Sequence, residues 1–296
     1  MASPLVDCST DFDSSAIRGK TAIVTGGAQG IGEAYVRALA NAGAYVVIGD
    51  IDSQKADRLV GEFPNQVEFA KCDVTEWDDQ VALFNAARSF SPTKLIHVVV
   101  ANAGINPSDE VFATEHDTQD EPSKPSLKTI DVNFKGVLYT TKLALHCFRR
   151  QYAITADKGS EPPLETSLVF QGSIASYMDS SNFCQYATSK WAVRGLMRTL
   201  RESVSAHGTR VNTICPSFIK TALLPPPLLE ILDANRIPLA NEDDAAQCLL
   251  RILSDRTING RALAVVARDL VERAPRGYYD LDMEENLEGP WPKIFK

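Results

Sequence analysis

The chain's 296 residues, 44% hydrophobic and 23% charged, suit one large α/β domain or two small ones with a sizeable core. A net charge of −8 without any Lys/Arg cluster argues against a nucleic-acid partner, because phosphate binding needs a basic patch. The longest apolar runs, such as Leu95 to Ala101, are too short to cross a bilayer, and the acidic stretch Asp7 to Asp13 is unlike a secretory or transit peptide, so the expected location is cytoplasmic.

From Lys20 onward, short apolar runs of strand length alternate with longer amphipathic stretches, the pattern of a parallel sheet covered by helices on both faces. Strands are predicted at Thr21–Thr25, Ala44–Gly49, Val67–Cys72, Leu95–Ala101, Ser167–Gln171, Arg210–Cys215 and Ala262–Val266. Helices are predicted at Ile31–Ala42, Ser53–Glu62, Glu76–Ser89, Leu127–Gln151 and Tyr186–His207. Asn106 to Pro125 and Ala153 to Glu165 read as polar loops, and the apolar stretch after Pro225-Pro226-Pro227 as a short helix, either a substrate lid or a plain surface helix. Neither a repeat nor a linker divides the chain. The organisation expected is an N-terminal extension 1–19, a domain 20–267 and a C-terminal tail 268–296. The aromatic residues of that tail, Tyr278, Tyr279, Trp291 and Phe295, suit packing against a second subunit or over the substrate cleft, and an inert tail is equally compatible.

Six cysteines, Cys8, Cys72, Cys147, Cys184, Cys215 and Cys248, show no Cys-x-x-Cys pair, and the histidines have no regular spacing. Neither a metal site nor a disulfide framework is expected. Cys184, two residues before Tyr186, has no His partner nearby in sequence to activate it.

Directly after the first strand, Thr25-Gly26-Gly27-Ala28-Gln29-Gly30-Ile31-Gly32 opens a helix. Glycines there let the backbone turn tightly and approach a pyrophosphate, whose charge meets the amides at the helix start. Asp50 closes the second strand, where a carboxylate can hydrogen-bond the adenosine ribose and repel a 2′-phosphate, and neither Gln29 nor Ile51 supplies a cation. NAD is therefore the expected cofactor. Together these features define an α/β, single-domain Rossmann-type doubly wound parallel sheet of about seven strands with helices on both faces. Further on, Tyr186 and Lys190 lie one helical turn apart, where a phenol and an ammonium can act on one substrate atom.

With these residues in place, the chain from Lys20 to Val266 resembles the short-chain dehydrogenase/reductase family, its NAD-linked members above all, such as hydroxyprostaglandin dehydrogenase and the fungal enzymes of specialised metabolism. Asp73-Val74 is similar to the family's adenine-contacting pair, and Asn102-Ala103-Gly104 to its Asn-Ala-Gly motif, with Ala101 where many members carry another Asn. Asn133, Ser173, Tyr186 and Lys190 match its catalytic tetrad. Pro216, Ile219 and Thr221 fit the segment that cups the nicotinamide, although Ser217 replaces the usual Gly.

The resemblance implies that Tyr186 is the proton acceptor, with its pKa depressed by both Lys190 and the cationic oxidised nicotinamide, that Ser173 holds the substrate oxygen, that Lys190 also grips the nicotinamide ribose, and that Asn133 helps seat a water. The expected activity is NAD-dependent interconversion of a secondary alcohol and a ketone on a fairly apolar small molecule. A ketoreductase working in the reverse direction, or a non-redox isomerase, cyclase or scaffold with a retained cofactor pocket, stands beside it. Met178, Phe183, Leu223, Leu224, Leu228 and Ile231 hint at a bulky apolar substrate. The family's habit of pairing its two long helices implies a homodimer or homotetramer.

Overall fold

Thr21–Thr25, the first strand (β1), is buried at all five positions, as a strand sandwiched between two helical layers must be. The computed structural model describes residues 4–283 except 112, 115, 119, 158–163, 182, 225, 269, 271 and 273. Around β1 stand β2 (Tyr45–Asp50), β3 (Val67–Lys71), β4 (Val98–Ala101), β5 (Thr166–Gln171), β6 (Thr209–Pro216), β7 (Ala262–Val265) and β8 (Tyr278–Asp280), in the order β3-β2-β1-β4-β5-β6-β7-β8. All neighbours are parallel except β7 and β8, which pair antiparallel with Ala264 opposite Tyr279.

Among the described residues the sheet has eight strands where about seven are predicted. The extra strand comes from the predicted tail: three residues are too few for periodicity to register. Side-chain bonds add to its ladder with β7. Asp280 pairs with the buried Arg261 at 2.6 Å and accepts the Val6 N–H at 3.0 Å, so both ends of the described chain meet at this edge. Trp291 and Phe295 lie outside the described residues.

One face of the sheet is covered by α1 (Gly30–Asn41), α2 (Ser53–Glu62) and a helix Glu242–Ser254, whose apolar residues share one core cluster with alternate residues of β1 and β2. The Glu242–Ser254 helix goes unpredicted, although its Asn241 cap and amphipathic pattern are visible in the sequence. The other face carries α3 (Trp77–Phe90), then a long helix in three pieces, α4 (Lys128–Ile130), a π-helical turn Asp131–Lys135 and α5 (Gly136–Asp157), and finally α6 (Cys184–Ser203). The short apolar helix after the proline run is α7 (Pro226–Ala234), so Glu242–Ser254 is α8. The predicted loop from Ala153 begins later, because α5 continues to Asp157. Among the described residues no helix is long and apolar enough to cross a membrane, and no group of side chains could hold a metal ion.

Between β1 and β4 the strand order reverses, so the loops leaving their carboxyl ends diverge and open a crevice. The glycine turn, the Asn102-Ala103-Gly104 segment and Gly172-Ser173 all follow carboxyl ends of β1, β4 and β5.

Candidate active site

The glycine turn is shaped by close backbone approach. Gly26 has φ 63°, and a Cβ there would lie 2.7 Å from Ala103 Cα; a Cβ on Gly32 would lie 2.0 Å from Gly26 O and 2.6 Å from Asn102 Nδ2. Asn102 locks the two loops together, donating from Nδ2 to Thr25 O and Gly26 O, each at 2.9 Å. A Cβ on Gly30 would lie 3.4 Å from Thr221, so the segment after β6 also reaches the turn. Gln29, at the start of α1, makes no side-chain cap hydrogen bond. The first amides of α1 are thus left for an anion, and the loop is glycine-lined: these residues fit a dinucleotide's pyrophosphate.

Asp50 is buried, its carboxylate accepting Ala28 N–H and Asp52 N–H at 3.0 Å each. Those bonds pin the carboxylate at the end of β2 beside the turn. One neighbour escapes the sequence: Lys55 Nζ donates to Gln29 Oε1 at 2.7 Å and pairs with Asp52 at 3.0 Å. A cation therefore stands close to the Gln29 end of the turn, in the first turn of α2 where no contiguous motif marks it, already engaged by a carboxylate. Of the other expected cofactor residues, Asp73 binds Thr75 through its carboxylate at 2.9 and 2.8 Å. Val74 is buried against Gly136, and Ile219 is 4% exposed within the core, bridged to Ala240. Ile31 is half-buried in the first turn of α1, and Pro216 ends β6.

The four expected catalytic residues converge. Asn133 sits in the π-helical turn, where Gly136 N–H reaches five residues back to Asp131 O. Its amide clamps the loop after β4: Oδ1 accepts Ile105 N–H at 2.8 Å, and Nδ2 donates to Ile105 O at 2.9 Å and to Ser189 Oγ at 3.3 Å. A Cβ on Gly104 would lie 3.4 Å from Asn133 Oδ1 and 3.6 Å from Lys190 Nζ, so glycine keeps that space open. Ser173 caps the 3-10 turn Ile174–Ser176 and shares a hydrogen bond with Tyr186. Lys190 is 4% exposed, donates from Nζ to Gln171 O at 3.0 Å, and lies 5.5 Å from the centre of the Tyr186 ring.

The electrostatics correct one expectation. The pKa of Tyr186 is raised, because burial outweighs the hydrogen bond from Ser173 that lowers it. Lys190 does not reverse this: burial lowers its own pKa to about 8, and its ammonium is turned to a backbone carbonyl. The protein's own groups hold Tyr186 as a neutral phenol. Cys215 lies against Gly172 and its thiol is pushed up to about 12 by burial, so it stays protonated.

Several supporting residues carry no sequence signal. Gln171 links Lys190 to Tyr35, whose hydroxyl donates to Gln171 Oε1 at 2.7 Å. Asp109 accepts the Gln185 N–H at 2.7 Å, giving α6 a remote cap that its own Phe183 does not supply.

A glycine turn with open helix amides, an acidic strand end and a Tyr–Lys–Ser group at one switch point define an α/β oxidoreductase that uses a nicotinamide cofactor. The chain belongs to the short-chain dehydrogenase family: that family's profile, described as short chain dehydrogenase, matches residues 20–226. It is 33% identical to 5′-hydroxyaverantin dehydrogenase of Dothistroma septosporum across 95% of this chain and 92% of that protein. It is 31% identical to an NADP-dependent dehydrogenase of a Phoma species across 93% of this chain and 82% of that protein. Among solved structures, 3-ketoacyl-(acyl-carrier-protein) reductase from Brucella melitensis, complexed with NADH, superposes with a TM-score of 0.70 at 26% identity, over 84% of this chain and 97% of that one. The protein is thus an enzyme that interconverts an alcohol and a ketone on a small molecule.

Proposed function

We propose that the enzyme oxidises a secondary alcohol of a fairly apolar small molecule to a ketone with NAD, and that Tyr186 takes the hydroxyl proton. The meeting of Tyr186, Ser173 and Lys190 beside Gly104 carries this reading. A nicotinamide held by these residues would supply the hydride acceptor for the carbinol carbon, or the hydride donor in reverse. Ser173 holds the substrate oxygen and stabilises its developing charge; Tyr186 first gives up its own proton, the Lys190 ammonium stabilises the resulting phenolate, and that phenolate takes the alcohol proton and returns to the phenol. Asn133 fixes the loop carrying Gly104. The glycine turn holds the pyrophosphate and Asp50 the adenosine ribose, which favours NAD; Lys55, paired with Asp52, does not offset that carboxylate. We take residues 20–267 as the dehydrogenase unit, with Tyr278–Asp280 docked on its β7 edge.

The direction rests on the relative named for dehydrogenating 5′-hydroxyaverantin. The neutral phenol of Tyr186 favours a second reading, reduction of a ketone, which starts from that protonated form. Met178, Phe183, Leu223, Leu224 and Leu228 are half-buried and Ile231 is 56% exposed, in segments that follow β5 and β6, which supports an apolar substrate. The test is absorbance at the reduced nicotinamide across a panel of apolar secondary alcohols and their ketones, with NAD and NADP in parallel. NAD turnover should exceed NADP turnover at least tenfold; a preference for NADP would overturn the assignment of Asp50.

The enzyme is further proposed to be a homodimer or homotetramer. Trp77, Leu138, Ile154 and Trp191, at 40%, 39%, 49% and 43% exposure, leave apolar surface on the layer formed by α3, α5 and α6. Light scattering should return at least twice the chain mass, and a monomer would refute it.

A further inference from the structure

Tyr186, Lys190, Arg194 and Arg198 follow one another at four-residue intervals on α6 and so form a row along one face. The first two sit in the cleft; the next two meet the last described residues. The Arg194 guanidinium lies 3.8 Å from the centre of the Tyr177 ring, and the Tyr177 hydroxyl donates to Asp282 Oδ1 at 3.0 Å. Arg198 stands 3.7 Å from the same carboxylate, whose side chain is only 9% exposed. Asp282 is itself rooted in the sheet, because its N–H donates to Asp280 Oδ1 at 3.0 Å and Asp280 is ion-paired with Arg261.

Tyr177 is the residue that ends the turn opened by Ser173. That turn is held at three points: Ser173 Oγ caps it at Ala175 N–H, Ser176 Oγ donates to Lys190 O at 2.8 Å, and Tyr177 reaches Asp282. Burying a carboxylate is costly, and Asp282 Oδ2 has no hydrogen-bond partner among the described residues. A joint needed only for packing would be cheaper in apolar side chains. A charge placed there instead fixes the direction of the Tyr177 hydroxyl and, with Arg194 over the ring, its plane.

We propose that Asp282 is a positioning residue for the reaction: through Tyr177 and Arg194 it sets the turn that carries Ser173 against the helix that carries Tyr186 and Lys190. This rests on the role given to Tyr186 above. Small displacements of reacting groups are expensive, of the order of a hundredfold for about 1 Å.

The experiment compares Asp282→Ala, Tyr177→Phe, the double variant, Asp282→Asn and Tyr186→Phe in the full-length enzyme, using steady-state kinetics, NADH binding by fluorescence and thermal melting. Asp282→Ala and Tyr177→Phe should each lower kcat roughly tenfold, with the NADH Kd unchanged within about twofold. The double variant should lose no more than either single one, since both remove the same link. Asp282→Asn, which still accepts from Tyr177, should recover most of the activity. Unchanged kcat in the two single variants, additive losses, or losses that track a weakened NADH Kd and a lowered Tm would overturn the proposal. Tyr186→Phe separates the two levels: if it keeps its activity, the proton-transfer role fails, whereas if it is inactive while Asp282→Ala is normal, only the positioning role fails.

Discussion

Tyr186→Phe is expected to lower turnover by about three orders of magnitude, the contribution of a positioned proton-transfer group, while leaving dinucleotide binding within about twofold. The substitution removes one oxygen and keeps the ring, so the packing of α6 and the cation near the ring centre at 5.5 Å are retained. Its loss also frees Ser173 from its hydrogen bond with the phenol, and the substrate oxygen would then meet a serine hydroxyl alone. Stopped-flow turnover beside equilibrium binding of NADH separates the two quantities. Near-normal turnover in this variant would remove Tyr186 from the chemistry altogether.

Lys190→Met should lose turnover by a factor of roughly 100 or more, yet melt at a higher temperature at neutral pH relative to what the lost hydrogen bond alone predicts. Burial lowers the Lys190 pKa from its ordinary 10.5 to about 8. Between those values the folded protein binds fewer protons than the unfolded chain, so stability rises with pH across that window and the full cost of the buried charge, about 3 kcal/mol, is felt below it. The methionine variant escapes this dependence. Leaving Gln171 O unpaired costs the variant an amount that does not change with pH. The difference in Tm, variant minus parent, should therefore shrink steadily from pH 7 towards pH 10. Parallel melting curves over that range would show that the ammonium is not desolvated as deeply as its 4% exposure indicates.

The sheet was legible because parallel strands buried on both faces are written as short, mostly apolar runs, and the run at Thr21–Thr25 falls where the sequence puts it. The candidate site was legible for a different reason: each of its groups lies at a strand end or on one helix turn, so order along the chain maps onto order in space. What escaped was held by distant partners. β8 depends on Arg261 and Val6 finding Asp280 across many residues, and Lys55 reaches Gln29 only because α2 folds back beside the turn. The pKa of Tyr186 escaped as well, since spacing shows which charges are near but not how much water is excluded.

The π-helical turn Asp131–Lys135 has a consequence for how this enzyme can change. One residue more per turn offsets the helix before it from the helix after it by about 100°. Asn133 therefore faces Ile105 through a residue count, as a frame-shifted reading would place it, and not through composition. Removing any single residue between Asp131 and Lys135 would restore a regular helix with almost unchanged hydrophobicity while rotating the amide off the loop it clamps. Away from Asn133, point substitutions in this stretch are a mild form of variation; insertions and deletions of one are the severe form.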